Sequence, residues 1–203
     1  MTIKTDVGSP TAESGEGKVK RTTVGHNGRV DTKWLDQDEL ATWVRLVALL
    51  ELLPSGLDSQ LRRDAELTHF EYYVLARLSD APDNKLRMTA LAAQTNATLP
   101  RLSHVVRRLE SRGLVERFPS ERDRRATNVR LTDAGRTMLV ATAPKHVDYV
   151  REYVLGALTE EQVGQLRDIA EAILQRLDPE GAMTPMYQQF DEPKVNSSAE
   201  RRR

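Results

Sequence analysis

Residues 120–129 read SERDRRATNV, with five charged side chains in succession at 121–125, three of them arginine. Arginine carries a planar fork of N–H donors that suits phosphate oxygens and the edge of guanine. A second basic group precedes it. On a helical wheel of about 100° per residue, Pro100, His104, Arg107 and Arg108 lie within about 60° of one direction, with Arg101 and Ser103 on the flanks. Leu102, Val105, Val106 and Leu109 cluster on the other side, so that side is the buried one. A helix of this width fits the major groove of double-stranded DNA. Arginine can pair there bidentately with guanine, while Ser and His accept a wider range of contacts. The plain alternative is a solvated basic helix face. The elements around it weigh against that alternative.

Other chemistries find little support. There are no cysteines, which excludes disulfides, thiolate metal sites and cysteine-based sensing. The four histidines, at 26, 69, 104 and 146, lack ligand-like spacing, so no metal site or cofactor is expected. No glycine-rich phosphate loop or suggestive Ser-His-Asp order is present, and the carboxylates fall at solvated helix positions. The chain is not expected to be an enzyme. No signal peptide stands out and no apolar run approaches the roughly 18–20 residues of a membrane span, which predicts a cytoplasmic protein with no membrane partner.

The 203 residues carry no net charge, with 30 basic and 30 acidic side chains. The balance is local. Residues 86–130 hold ten arginines against four acids, while residues 34–85 hold ten acids against five bases. A basic segment on an acidic body predicts a focused surface for an anionic partner.

Composition divides the chain into a disordered tail over 1–33, a folded part over 34–178 and a flexible tail over 179–203. The folded part opens with a helix over about 36–53, ended by Pro54. A second helix runs over about 57–78, with a fresh start near Leu67. The turn Ala81-Pro82-Asp83-Asn84 follows. A short helix over 88–94 leads into the basic helix, where Thr98 suits the N-cap and Pro100 the first turn. That helix runs over 99–112 and Gly113 stops it. The period then falls from 3.6 to 2. LVERF and NVRLT read as two strands, which makes the basic stretch the loop of a hairpin. Thr132 caps a helix to about Leu155, in which Pro144 predicts a kink. Thr159 and Gln162 stand in capping-box register before a last helix to about Leu177.

Helix, tight turn, helix and hairpin follow the order of a winged helix-turn-helix. The predicted fold class is mainly α with a small β-hairpin wing. LTDAG (131–135), preceded by SERDRRATNVR, resembles the wing of the MarR-type transcription regulators, with Asp123 and Arg125 in the family's D-x-R positions. LTHFEYYVL (67–75), LAAQT (91–95) and RLSHVVRRLESRGLVER (101–117) also fall where that family has its second helix, first motif helix and recognition helix. The resemblance covers residues 36–178. It implies a homodimer held by N- and C-terminal helices, over about 34–57 and 140–178, with a DNA-binding lobe over about 58–135. The recognition helices would enter successive major grooves about one helical turn apart, roughly 34 Å, on a near-palindromic operator.

By the same resemblance, Arg122, Arg124 and Arg125 belong to the DNA-contacting wing, and Asp123 braces it through an ion pair. Members of the family are commonly repressors released by a small anionic aromatic ligand. Trp43, His69, Tyr72 and Tyr73 lie on helices that would line such a ligand's cleft. For each of them core packing is the favoured reading, and His69 is read either as a carboxylate partner or as a cap on the second helix. Two alternatives stay open: a winged-helix module for protein assembly, and a DNA-binding protein without a ligand response.

Overall fold

The computed structural model describes residues 32–120, 123 and 125–190. The residues predicted as a disordered N-terminal tail lie almost wholly outside that range, as do the last thirteen residues of the predicted C-terminal tail. Among the described residues there are seven α-helices and one three-stranded sheet, so the chain is mainly α as predicted. Contacts divide it into two units, one extending to Arg45 and the other from Leu46.

In the first unit, Asp36 opens helix α1 (Gln37–Ala65). Its carboxylate accepts from the Glu39 amide at 2.8 Å, and Glu39 returns the bond to the Asp36 amide at 3.0 Å. Trp34, Leu35, Leu40, Trp43 and Val44 are all exposed there.

In the second unit, α1 continues through Pro54 to Ala65, which corrects the predicted stop at Leu53. A proline removes one backbone donor but its φ is compatible with a helix. Beyond it, Leu57, Gln60 and Leu61 are buried, and packing holds the next turns helical. Removing the stop also lengthens the apolar stretch. From Leu40 to Leu57 only Arg45 and Glu51 are charged, and by length and composition α1 could span a bilayer, contrary to the expectation above.

The real break is at Glu66, which has a left-handed φ of 53°. Helix α2 (His69–Asp80) then starts from Thr68, not His69. The Thr68 side chain accepts from the Glu71 amide, and the Glu71 carboxylate takes the Thr68 amide at 2.7 Å. After the turn at 82–84 comes a strand the periodicity did not reveal, β1 (Lys85–Arg87). Three residues are too few for an alternation signal.

Helices α3 (Met88–Gln94) and α4 (Leu99–Ser111) agree with their predicted bounds. Strands β2 (Val115–Pro119) and β3 (Thr127–Leu131) form the wing, with Val115 opposite Leu131 and Pro119 opposite Thr127. β1 joins the other edge of β3, giving the order β1-β3-β2. The core gathers Leu67, Val74, Leu75 and Leu78 of the α2 region with Leu91, Leu102, Val106 and Leu109. Val129 and Leu131 close it from the sheet.

Helix α5 (Asp133–Tyr153) runs through Pro144 as one helix. Helix α6 (Glu160–Leu177) has the predicted capping box, Thr159 with Gln162. Its Val163, Leu166, Ile169, Ile173 and Leu177 are exposed. Residues 179–190, assigned above to a flexible tail, instead include helix α7 (Thr184–Tyr187). The Asp178 carboxylate accepts from the Ala182 and Met183 amides at 2.9 and 2.8 Å. Met186 then meets the Tyr73 hydroxyl, and the Pro185 carbonyl lies 3.4 Å from an Arg77 nitrogen.

Candidate nucleic-acid interface

The turn between α3 and α4 is set by local bonds. Thr95 is buried and its hydroxyl donates to the Leu91 carbonyl at 2.7 Å. Asn96 takes a left-handed φ of 47°, and the Ala97 amide returns to the Ala92 carbonyl. Thr98 caps α4 by accepting from the Arg101 amide, with Pro100 in the first turn. Leu102, Val106 and Leu109 are fully buried and Val105 packs partly against the core. The rest of α4 faces outward. Thr98, Pro100, Arg101, His104, Arg107 and Arg108 are exposed, and Ser103 is half-buried.

The outward residues divide by what they touch. Arg107 bends its Nε toward the Ser103 carbonyl of its own helix and meets no carboxylate among the described residues. Arg101 stacks over the Phe70 ring at 4.3 Å. Arg108 grips the buried Glu71 carboxylate at 2.7 Å, so it is already engaged inside the protein.

Wing geometry follows the same pattern of internal pairing. Asp123 lies 3.6 Å from the Arg87 guanidinium, and its other oxygen accepts the Arg125 amide at 3.1 Å. The Ala126 amide closes on the Asp123 carbonyl, and the Ser120 amide on the Ala126 carbonyl. Arg117 of β2 holds Glu110 of α4 at 2.5 Å, which ties the wing to the helix. That side-chain bond to Arg117 is the main favourable influence holding the Glu110 carboxyl below its usual range. Arg130 pairs with Glu116 and lies over Phe118. Arg122 and Arg124 lie outside the described residues.

Thus each described acid in the basic segment is matched to an arginine. Arg101, Arg107, Arg112 and Arg125 have no ion pair among the described residues, and all four are exposed. Arg125, Ser103 and Arg87 line one open cavity between the wing and α4, of roughly 460 Å³. Asp123, Met88 and Leu99 line it as well.

LTDAG owes its pattern to this junction. Thr132 donates to the Gly113 carbonyl at 2.7 Å, its amide reaches the Leu114 carbonyl, and its hydroxyl accepts the Gly135 amide. A Cβ on Gly135 would sit 2.1 Å from the Leu114 carbonyl oxygen. Only glycine allows α5 to start so close to the wing. Gly113 itself has a φ of 70°.

The residues predicted for a ligand cleft do not gather as one group. His69 and Tyr72 are half-buried; the Tyr72 ring lies 4.5 Å from His146, whose Nδ1 is 3.1 Å from Gln60 Oε1. The His69 amide donates to Asp58 at 2.9 Å. Burial pushes both imidazoles below the usual histidine range, and His69 pushes His146 further down. Tyr73 turns to the Gln94 carbonyl instead. Trp43 is exposed in the first unit. A cleft of roughly 490 Å³ between α1 and α5 is lined by Gln60, Asp64, Lys145 and Tyr149, and by none of these four. His146, Gln60 and Arg87 were not among the predicted site residues. A histidine alone on an amphipathic helix and an arginine on a three-residue strand carry no pattern.

Known proteins agree with the geometry. The MarR family model matches residues 67–127. The regulator HosA of Escherichia coli O127:H6 is 35% identical over 98 residues, 48% of this chain and 70% of HosA. The repressor MprA of Escherichia coli K12 is 25% identical over 107 residues, a match spanning 53% of this chain and only 60% of MprA. Sco3205 of Streptomyces coelicolor, a MarR family regulator solved in complex with DNA, superposes with a TM-score of 0.69 at 41% identity. That match covers 71% of this chain and 94% of Sco3205. The chain belongs to the MarR family. The MarR match takes in α2, α3, α4 and most of the wing, including Asp123 and Arg125, and leaves both terminal helices outside it.

Proposed function

We propose that this MarR-family protein is a transcription regulator that binds double-stranded DNA as a homodimer on a near-palindromic operator. The observation that supports this best is that Arg107 and His104 of α4 and Arg125 of the wing are all exposed, and none of the three side chains forms an ion pair among the described residues. A guanidinium held by no carboxylate can meet phosphate or guanine without first breaking an ion pair. The wing arginines, Arg122 and Arg124 among them, are assigned to the minor groove or its phosphates in this reading, and Asp123 braces the loop through Arg87. That Sco3205 was solved with DNA, and that MprA is named a repressor, support DNA binding and repression here.

The second copy would cover apolar helix faces. Val163, Leu166, Ile169, Ile173 and Leu177 repeat at 3–4 spacing on α6 and are exposed, and so are Val47 and Leu50 of α1. A protein partner suits α1 better than a bilayer, because Arg45 and Glu51 sit inside its apolar stretch. The protein is cytoplasmic in this reading. Release by a small anionic ligand is supported by the half-buried His69, Tyr72 and His146 cluster at the α1, α2 and α5 packing.

The test is binding of the full chain to duplex DNA against salt concentration. A dimer neutralising several phosphates should lose affinity with a log–log slope of about −0.9 per contact. Sedimentation at the same concentrations should give twice the chain mass. No binding at low salt would overturn DNA recognition in favour of a protein-assembly module.

A further inference from the structure

The arginines of α4 form two stripes with different partners. At about 100° per residue, Arg101, Arg108 and Arg112 fall within roughly 20° of one line along the helix. Pro100, His104 and Arg107 form a second line about 100° away, with Ser103 at its margin.

Among the described residues, the side-chain partners of the first line belong to one short segment, residues 66–71. Arg101 lies over Phe70. Arg108 donates through Nε to Glu71 at 2.8 Å and through Nη2 at 2.7 Å. Arg112 donates to the Glu66 carbonyl at 2.9 Å. This segment is where α1 ends and α2 begins. Glu66 has a left-handed backbone, Leu67 is fully buried, and the other Glu71 oxygen takes the Thr68 amide and hydroxyl.

Glu71 is the centre of the arrangement. It is completely buried, and a carboxyl group persists in such a place only when its bonds are satisfied. One oxygen caps α2 and the other holds α4, so moving α4 from the junction would strand a carboxylate in the core.

Resting on the DNA-binding reading, we propose that Glu71, Arg108 and Arg112 are positioning residues. They fix the axis of α4 against the α1–α2 junction, while Ser103, His104 and Arg107 read the DNA. Arg108 belongs by sequence to the DNA-facing group, and the clamp removes it from that group. Because α1 continues from the junction toward the N-terminus, any shift of α1 against α2 would be passed to α4 through these bonds.

The experiment uses the full chain and two duplexes, one recovered from random-sequence DNA by selection with the wild type and one scrambled. Arg108→Gln, Arg112→Gln and Glu71→Gln are measured on both across a salt series. A positioning role predicts that Arg108→Gln and Glu71→Gln each lose tenfold or more on the selected duplex and little on the scrambled one. The salt slopes stay at the wild-type value. The double variant should be no worse than either single, and Arg108→Lys should restore part of the loss.

A drop of about 1.8 in the slope for Arg108→Gln, one contact from each protomer, with Glu71→Gln unchanged, would make Arg108 a phosphate contact and overturn the clamp. Equal losses on both duplexes would also overturn it. Should Glu71→Gln fail to fold, Arg108→Gln and Arg112→Gln still decide, since both residues are exposed and the slope separates the two roles. A wild type that binds neither duplex would overturn the DNA reading itself, and the clamp with it.

Discussion

At the scale of single residues, Gly135 and Arg107 illustrate two kinds of necessity. Gly135 is required by space, because its missing Cβ would meet the backbone oxygen of Leu114, which cannot turn aside. Gly135→Ala should cost about 2–3 kcal/mol of stability, seen as a lower urea midpoint at unchanged m-value; an unchanged midpoint would mean the α5 start is free to shift. Arg107 is required for chemistry. Arg107→Ala should change which sequences are preferred, at about 1–3 kcal/mol for a base contact. Arg125→Ala should weaken all sequences alike and flatten the salt slope by about 1.8, one contact from each protomer. Titrating both variants on matched and mismatched duplexes checks the division. The exposed faces of Pro100, His104 and Arg107 were legible because helical periodicity decides which side is out. Arg108 was not, since its carboxylate partner is 37 positions away and no local pattern pairs them.

At the scale of elements, periodicity and caps identified α3, α4, the wing and α6 with nearly their observed ends. Those segments carry their own punctuation: Thr98, Thr132 and Thr159 each cap a helix by accepting an amide three positions on, and Gly113 follows the end of α4. Failure came where tertiary packing outweighed a local rule. Pro54 reads as a stop, yet three buried residues just beyond it keep α1 helical. Pro54→Ala should therefore restore a backbone donor and stabilise the fold by about 1–3 kcal/mol. A thermal midpoint that falls instead would show that the proline shapes α1 for a purpose. The third strand escaped notice for the opposite reason: β1 has almost no signal of its own and exists by pairing with β3.

At the scale of the whole molecule, charge and proton uptake become collective. His69 and His146 are held neutral mainly by burial, so their folded-state values lie below the usual histidine range. The unfolded chain then binds more protons than the folded one as pH falls below about 6.5. Stability from these two groups is complete above that value and is lost on acidification toward their folded values. A second loss, from Asp58 and Glu110, follows at lower pH as their depressed carboxyls take up protons. Urea titrations at pH 7.5 and 5.5 should differ, and His146→Phe should narrow the gap; an equal gap would exclude His146 as a contributor.

The hook over 178–190 bears on where this protein can be cut. Arg77 is 4% exposed, its Nε has no hydrogen-bond partner among the described residues, and one acceptor of its other nitrogens is the Pro185 carbonyl. A chain shortened at Leu177 to suit the family's outline would take that acceptor from a buried cation and Met186 from Tyr73. The fold's working boundary therefore lies beyond its last long helix.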